Sequence, residues 1–259
     1  MERSTYIPAE RQKKMMEYIE ANTSAQIHEL AEKFHVSEAT VRRDLDDLDH
    51  QGVLRRTHGG AMKVDKSTSY ESAYNERMKL MLTEKHRIAE RAARMVHPGE
   101  TVMISAGTTT YFIAQVLSHL DDLTLITNDL YIASQIVLPH TSTLIVTGGT
   151  RLSGKQGLTG PVAEHMLWNT HVDIAFVGAD GVDPIGAITS VSFDDVSVKR
   201  LMLKSAARGV IVADHTKLGR VAMARTCEFN EVSMVLTDQG ADPILLEKFK
   251  KANIALELA

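Results

Sequence analysis

The chain has 259 residues, 44% of them hydrophobic and 24% charged, with a formal net charge of −4. That composition is too apolar for a disordered chain, is enough for one large core or two smaller ones, and at this length favours two domains. It excludes a strongly basic nucleic-acid binder in which the whole chain carries the charge, and it carries no mark of a membrane partner.

No apolar run reaches the roughly 20 residues of a membrane helix. The polar start MERSTYIPAERQ lacks the apolar centre of a secretory signal. The single cysteine, Cys227, forms no internal disulfide and joins no metal-ligand cluster. The expectation is a soluble cytoplasmic protein without a metal or cofactor.

Helical periodicity dominates the first sixty residues. Met15, Met16 and Ile19 share a face, Ile27, Leu30, Ala31 and Phe34 follow at i, i+3, i+4, i+7, and Val41, Leu45 and Leu48 at i, i+4, i+7. Thr23 with Gln26 resembles a capping box for the second helix, and Ser37 is placed to cap the third. The gap from Phe34 to Ser37 is short enough to make successive helices cross, the helix-turn-helix arrangement. Projected at about 100° per residue, the third helix sets Ala39, Arg43 and Asp46 opposite its apolar stripe, flanked by Thr40 and Arg42. That outer face suits a major groove.

The next stretch, GVLRRTHGGAM, is too short for another core helix. Val53 and Leu54, then Arg55 and Arg56, then Gly59-Gly60, suit a small β-wing whose arginines meet phosphates or a minor groove. Residues 1–62 hold nine basic side chains against eleven acidic ones, so placement and not net charge points to DNA: four of the nine fall on the third helix and the wing. The plainer alternative pairs Arg42 and Arg43 with Asp46 and Asp47 at i+4, as ordinary solvated helix residues.

Residues 63–82 are polar and mixed in charge, with helical character growing toward their end, and read as a linker. Beyond them strands alternate with helices: ETVMIS, a helix at 111–118; LTLIT, a helix at 131–137; TLIVTGG, a helix at 162–168; DIAFVGA, a helix at 196–207; GVIVAD; VSMVLTD, a helix at 243–250; and IALEL. This pattern predicts a mostly parallel sheet covered on both faces, with ligands at the carboxyl ends of its strands. Those ends carry Ala106-Gly107-Thr108-Thr109-Thr110, Asn128-Asp129, Gly148-Gly149, Asp180 to Asp183 and Asp214 to Lys217. Glycine followed by three threonines at a helix start makes an anion site. Taken singly, each of these segments reads as a turn or a helix cap; five together point to one pocket. GTRLSGKQ, at 149–156, nearly spells a phosphate-binding loop but ends on Gln156 where magnesium needs a hydroxyl. The eleven histidines lack ligand spacing, and no nucleophile elbow occurs.

VSEATVRRDLDDLDHQGVLRRTHGGAM, from Val36 to Met62, resembles the winged helix-turn-helix of the DeoR family of bacterial transcriptional regulators, with its serine-capped T-[IV]-R-R-D-L helix and R-x-H-G-G-A wing. The resemblance implies DNA contacts at Ser37, Thr40, Arg42 and Arg43, and backbone or wing contacts at Arg55, Arg56 and His58. Asp44, whose charge phosphate would repel, is expected to orient the arginines or brace the fold. SAGTTT, ITND, VTGG, FVGADGVD and VADHTKLG extend the likeness to the family's effector domain, itself similar to ribose-5-phosphate isomerases.

By that likeness Gly107, Thr108, Thr109 and Thr110 hold a phosphate, Asp180 and Asp183 face sugar hydroxyls or a carbonyl, and Lys217 neutralises charge. Asn128, Gly148 and Gly149 complete the expected lining. The isomerase's lysine and glycine run are missing, since VDPIGAITS stands in their place. Ser105 replaces an aspartate common in the family, which should alter the hydroxyl pattern or effector charge accepted. The expectation is an α/β protein: a winged helix-turn-helix domain at 1–62, a linker at 63–82, and a Rossmann-like, mostly parallel sensor domain at 83–259. It implies a repressor of a carbohydrate operon that binds operator DNA as a homodimer or homotetramer and answers to a sugar phosphate. The competing readings are a sugar-phosphate isomerase-type enzyme fused to a DNA-binding module, and a purely structural oligomerisation domain.

Overall fold

The computed structural model describes residues 6–22, 24–50, 53–57, 59–63 and 74–259. They separate into two compact units, one holding residues up to 63 with 79–81, the other 74–78 with 82–259.

The first unit runs α1 (Pro8–Asn22), β1 (Ser24–Gln26), α2 (Ile27–Phe34), α3 (Glu38–His50), β2 (Leu54–Arg56) and β3 (Gly60–Lys63). Its core is built from the predicted stripes: Met15 and Ile19, then Ile27, Leu30 and Phe34, then Val41, Leu45 and Leu48, closed by Leu54 and Ala61. His35, in the left-handed region at φ 51°, ends α2 and turns the chain toward α3. Ser37 caps α3 as predicted, its Oγ accepting the Thr40 amide at 3.2 Å.

The cap of α2 differs from expectation. Ser24 and Gln26 are drawn into strand pairing with Met62 and Gly60, so the helix begins only at Ile27. The Gln26 amide donates to Glu29 Oε2 at 3.3 Å, which places the box three residues later; Thr23 lies outside the described residues. The wing is the antiparallel sheet β1-β3-β2. A Cβ at Gly60 would come within 2.0 Å of the Ala25 carbonyl oxygen, so β1 approaches β3 only over a glycine.

The second unit runs α4 (Tyr74–Lys79), α5 (Leu82–Ala93), β4 (Thr101–Ile104), α6 (Thr108–Leu117), β5 (Thr124–Thr127), α7 (Leu130–Gln135), β6 (Thr143–Val146), β7 (Thr150–Arg151), β8 (Leu158–Thr159), α8 (Pro161–Trp168), β9 (Val172–Gly178), β10 (Gly181–Asp183), β11 (Ala187–Ser190), α9 (Phe193–Lys204), β12 (Ala206–Val212), β13 (Ala224–Cys227), β14 (Met234–Thr237), α10 (Pro243–Lys251) and β15 (Leu256–Leu258). Seven strands form one sheet in the order β15-β14-β12-β9-β4-β5-β6, and every pairing in it is parallel.

Alternate residues of these strands feed two cores. Val102, Ile104, Leu125, Phe176 and Val212 pack with Ile88 of α5 and Ile113 of α6, whereas Met103, Ile126, Val177, Ile211 and Val235 pack with Met202 of α9 and Phe249 of α10. Covering both faces leaves the strand ends as the open rim.

Three departures have local causes. Helix α9 stops at Lys204 because Ala206 already pairs with Val172, so the predicted helix to residue 207 is cut short. Short antiparallel additions, the β7–β8 hairpin and the sheet β10-β11-β13, were not foreseen, since strands of two to four residues carry too little periodicity to register. The near-Walker stretch is that hairpin, and α8 starts only after it, at Pro161. Among the described residues no helix is long and apolar enough to cross a membrane.

Candidate DNA interface and effector site

On α3, Ser37 and Thr40 share a hydroxyl hydrogen bond of 2.9 Å. Arg42 pairs with Glu38 at 3.1 Å, both about half exposed. Arg43 and Arg55 are exposed, and no ion pair engages either among the described residues. The pairing of Arg42 with Asp46 and Arg43 with Asp47 does not occur. Asp46 instead takes Arg56 of the wing, Nε to Oδ1 at 3.0 Å, and Asp47 accepts from Gln12 at 3.0 Å. Arg56 is therefore a latch between wing and helix, reinforced by its own amide donating to Asp49 Oδ1 at 3.0 Å. This structural role, beside the expected phosphate contact, arises because Asp46 and Asp49 of α3 both lie against β2. Asp44 braces the fold as expected, through a partner not foreseen: Arg11 of α1 grips it with Nε at 2.6 Å and the second nitrogen at 3.1 Å, both side chains buried. His58 lies outside the described residues.

In the second unit the SAGTTT turn is held from beneath. Ala106 donates its amide to Asn128 Oδ1 at 2.8 Å, and Gly107 donates to Asp129 Oδ2 at 3.1 Å. Asp129 is fully buried and also accepts the amides of Tyr131 and Ile132. Burial pushes its carboxyl pKa up, against the pull of those amides. Asn128 further donates to the Leu158 carbonyl at 3.0 Å, so both its amide ends serve as a brace. The first-turn amides of α6, at Thr108, Thr109 and Thr110, have no acceptor within their own helix.

Ser105 is 1% exposed, and its Oγ accepts the Gly178 amide at 3.0 Å, joining the ends of β4 and β9. Gly148 and Gly149 pack at the β8–α8 corner, where a Cβ on Gly149 would meet the Thr159 carbonyl oxygen at 2.6 Å. Asp183 uses Oδ1 to accept the amides of Ile185 and Gly186 at 3.0 and 2.7 Å, closing the β10–β11 turn. All three shape turns, and among the described residues no hydrogen bond or ion pair joins them to the charged cluster at Asp180.

That cluster is larger than the sequence suggested. Burial pushes the Asp180 carboxyl up, but Lys199 of α9, Arg77 of α4 and Lys217 together hold its pKa below the ordinary range. Lys85 of α5 is 3% exposed and donates to the Arg77 carbonyl. Burial lowers the pKa of its ammonium to about 8, partly offset by Asp214 and deepened by Lys217 and Arg77. Arg77, Lys85 and Lys199 were missed. The signal was present for two: Lys85 shares the stripe of Ile88, Ala89 and Ala92, and Lys199 that of Val196 and Leu203, positions where a lysine has to find a buried partner.

Beside the cluster, His215 Nδ1 meets Asp238 Oδ2 at 2.8 Å, and Asp238 Oδ1 accepts the His215 amide at 2.7 Å. A Cβ at Gly240 would strike that ring at 2.6 Å. The hydrogen bond to Asp238 raises the imidazole pKa above its usual 6.5. Its stabilising share is therefore full below the unfolded value and lost as pH climbs through the raised folded one. The melting-temperature gap between the parent chain and Asp238→Asn is expected to narrow from about pH 6 to about pH 9; a gap constant with pH would contradict the pairing.

The sequence matches the DeoR-like helix-turn-helix domain over residues 11–67 and the DeoR C terminal sensor domain over residues 81–239. It is 32% identical to the uncharacterized HTH-type transcriptional regulator YulB of Bacillus subtilis (strain 168), over 91% of this chain and 90% of that protein. It is 30% identical to the HTH-type transcriptional regulator GlpR of Haloferax volcanii, over 96% and 97%. The glycerol-3-phosphate regulon repressor of Escherichia coli (strain K12) is 29% identical over 94% and 96%. A looser likeness joins the chain to ribose 5-phosphate isomerase A of Methanocaldococcus jannaschii, with a TM-score of 0.38 and 20% identity over 52% of this chain and 53% of that one. With both of its units matched, and in that order, the chain belongs to the DeoR family of helix-turn-helix transcriptional regulators.

Proposed function

We propose that this regulator is a repressor of a carbohydrate-catabolic operon, and that a phosphorylated sugar bound at the strand ends of its second unit sets its hold on operator DNA. The observation that carries the reading is the gathering of Arg77, Lys85, Lys199 and Lys217 around Asp180 and Asp214, at the same sheet edge as the amides that open α6. Cations there meet a phosphate or carboxylate, and the aspartates accept from hydroxyls. The name of the Escherichia coli glycerol-3-phosphate regulon repressor supports a phosphorylated effector. The Thr108–Thr110 amides grip the anion, Lys217 and Asp180 reach the rest of the ligand, and Ser105 acts from behind by setting the end of β9.

Sensing rather than turnover is supported by the segment after Asp183, where Pro184, Ile185 and Gly186 make a turn in place of the lysine and glycine run of the isomerase-like pattern. The protein acts in the cytoplasm, and two copies reading two half-sites with α3 imply a palindromic or repeated operator. Ligand control requires that the effector bind the DNA-competent and DNA-free arrangements with different affinity.

A thermal-shift screen of phosphorylated sugars, run with gel shifts on DNA from the gene's own neighbourhood, tests the reading. The expected result is one sugar phosphate that raises the melting temperature and releases the DNA, without being consumed. Turnover of an aldose or ketose phosphate would replace this reading with the enzyme. Arg43→Ala is expected to weaken DNA binding about tenfold, roughly 1.4 kcal/mol, with melting unchanged. Arg56→Ala, by contrast, should lower the melting temperature, because it unlatches the wing.

A further inference from the structure

Lys199 is a charged residue in a place built for an apolar one. It lies on the inward stripe of α9, 8% exposed, with its Nζ 2.8 Å from Ser190 Oγ and 3.9 Å from Asp180 Oδ2. Ser190 in turn shares a 3.0 Å hydrogen bond with Thr226 of β13. Asp180 Oδ2 also accepts the Val191 amide at 3.1 Å. One carboxylate oxygen is thus clamped from two sides by groups on α9 and just after β11. The other, Oδ1, accepts nothing from the described residues, and the Asp180 side chain keeps 15% of its surface open.

We propose that Lys199 is a positioning residue that keeps Asp180 an ionised, oriented acceptor, with Oδ2 held by the protein and Oδ1 left to take hydrogen bonds from the hydroxyls of a ligand. The inference rests on the sugar-phosphate reading for what occupies Oδ1, and on geometry alone for what Lys199 does. A buried carboxyl that loses its foremost cation is drawn toward its protonated form, and a protonated Asp180 would donate where a hydroxyl also donates. Lys199 therefore fixes the sign of recognition at this end of the pocket. Hydroxylated chains are accepted there as donors to Oδ1.

The charged groups that face Asp180 are Lys199 from α9, Arg77 from α4 and Lys217 from the turn after β12, with the Val191 amide beside them. Lys199 is the largest of the cationic influences on it. With Lys199 in place the folded carboxyl titrates below the unfolded one, so its stabilising share is constant above about pH 4.5. On this proposal, burial without Lys199 outweighs Arg77 and Lys217 and raises the folded value above the unfolded one, so that stability falls as pH rises between the two.

The test uses the full chain without ligand. Melting temperatures of the parent, Lys199→Gln, Lys199→Arg and the double variant Lys199→Gln/Asp180→Asn are followed from about pH 4.5 to about pH 7.5. The expected result is a deficit of Lys199→Gln against the parent that widens by at least about 3 °C toward neutral pH. Lys199→Arg should remove the widening by restoring charge, and the double variant by removing the buried carboxyl. A deficit that does not change with pH, or that widens equally in the double variant, would overturn the proposal by making Lys199 a packing residue only. If Lys199→Gln does not fold at neutral pH, folding of the double variant there supports the proposal, and its failure to fold overturns it. Because no effector is used, a chain that passes this test but is stabilised by no phosphorylated sugar would refute the effector reading and leave the positioning intact.

Discussion

Arg11→Ala is expected to cost the N-terminal unit roughly 3–5 kcal/mol, the usual penalty for stranding one partner of a buried ion pair. Arg11 grips Asp44 through two nitrogens, with side-chain exposures of 10% and 5%, so water cannot replace the lost guanidinium. Calorimetry of the full chain should show a lower transition for this unit while the sensor's transition stays in place. Operator binding should fail with it, although Arg11 is not a proposed DNA contact, because Asp44 ties α3 to α1. Arg11→Met combined with Asp44→Leu should recover most of the loss, since apolar groups of similar bulk leave no charge unpaired. If the single variant cost less than about 1 kcal/mol, the pair would be no more than a surface contact.

Lys85→Met is the second large effect, and its sign reverses the first. The folded ammonium titrates near 8, against an ordinary 10.5 for lysine. The unfolded chain therefore holds more protons between those values, so parent stability rises with pH across that window. Below it, folding bears a charge-burial cost of about 3 kcal/mol, because the two titrations lie that far apart on the pH scale. Methionine removes the charge and keeps the length. The variant should accordingly be more stable than the parent at neutral pH, by up to about 3 kcal/mol, with the advantage fading toward pH 10.5. Denaturant melts of both chains at several pH values decide the matter, and an advantage independent of pH would refute the assignment. The same variant should respond less to any anionic effector, since a bound anion is what offsets the cost of keeping Lys85 charged.

Why some of this was legible in the sequence and some was not follows from how far each signal extends. The stripes of Ile27 to Phe34 and Val41 to Leu48, and the apolar runs of β4, β9 and β12, are local, strong and redundant, and each became the element it predicted. Ser37 announced its helix because a cap needs only its own next three residues. The sites depend on partners distant in sequence. Nothing near Arg56 reveals that Asp46 will hold it, and nothing near Gly107 reveals that Asp129 will occupy its amide, because both pairings are made by the fold. Asp183 and Asn128 stand out by their position after strands, but the local work they also do is not legible there: Asp183 Oδ1 closes a turn, and the Asn128 amide braces the SAGTTT loop. Lys85 and Lys199 were readable by the opposite logic, as charges that interrupt an apolar stripe.

The brace beneath the SAGTTT turn bears on how quickly and how sharply the protein can respond. Asn128 and Asp129 hold the Ala106 and Gly107 amides through the protein's own side chains, so the loop has little conformational freedom left to lose on binding. Capture there should approach lock-and-key behaviour, with a small entropic penalty and no slow ordering phase. A rigid receptor surface transmits nothing by its own rearrangement. On the proposed reading, the effector's signal leaves through the groups it attracts, foremost Arg77 on α4 and Lys85 on α5.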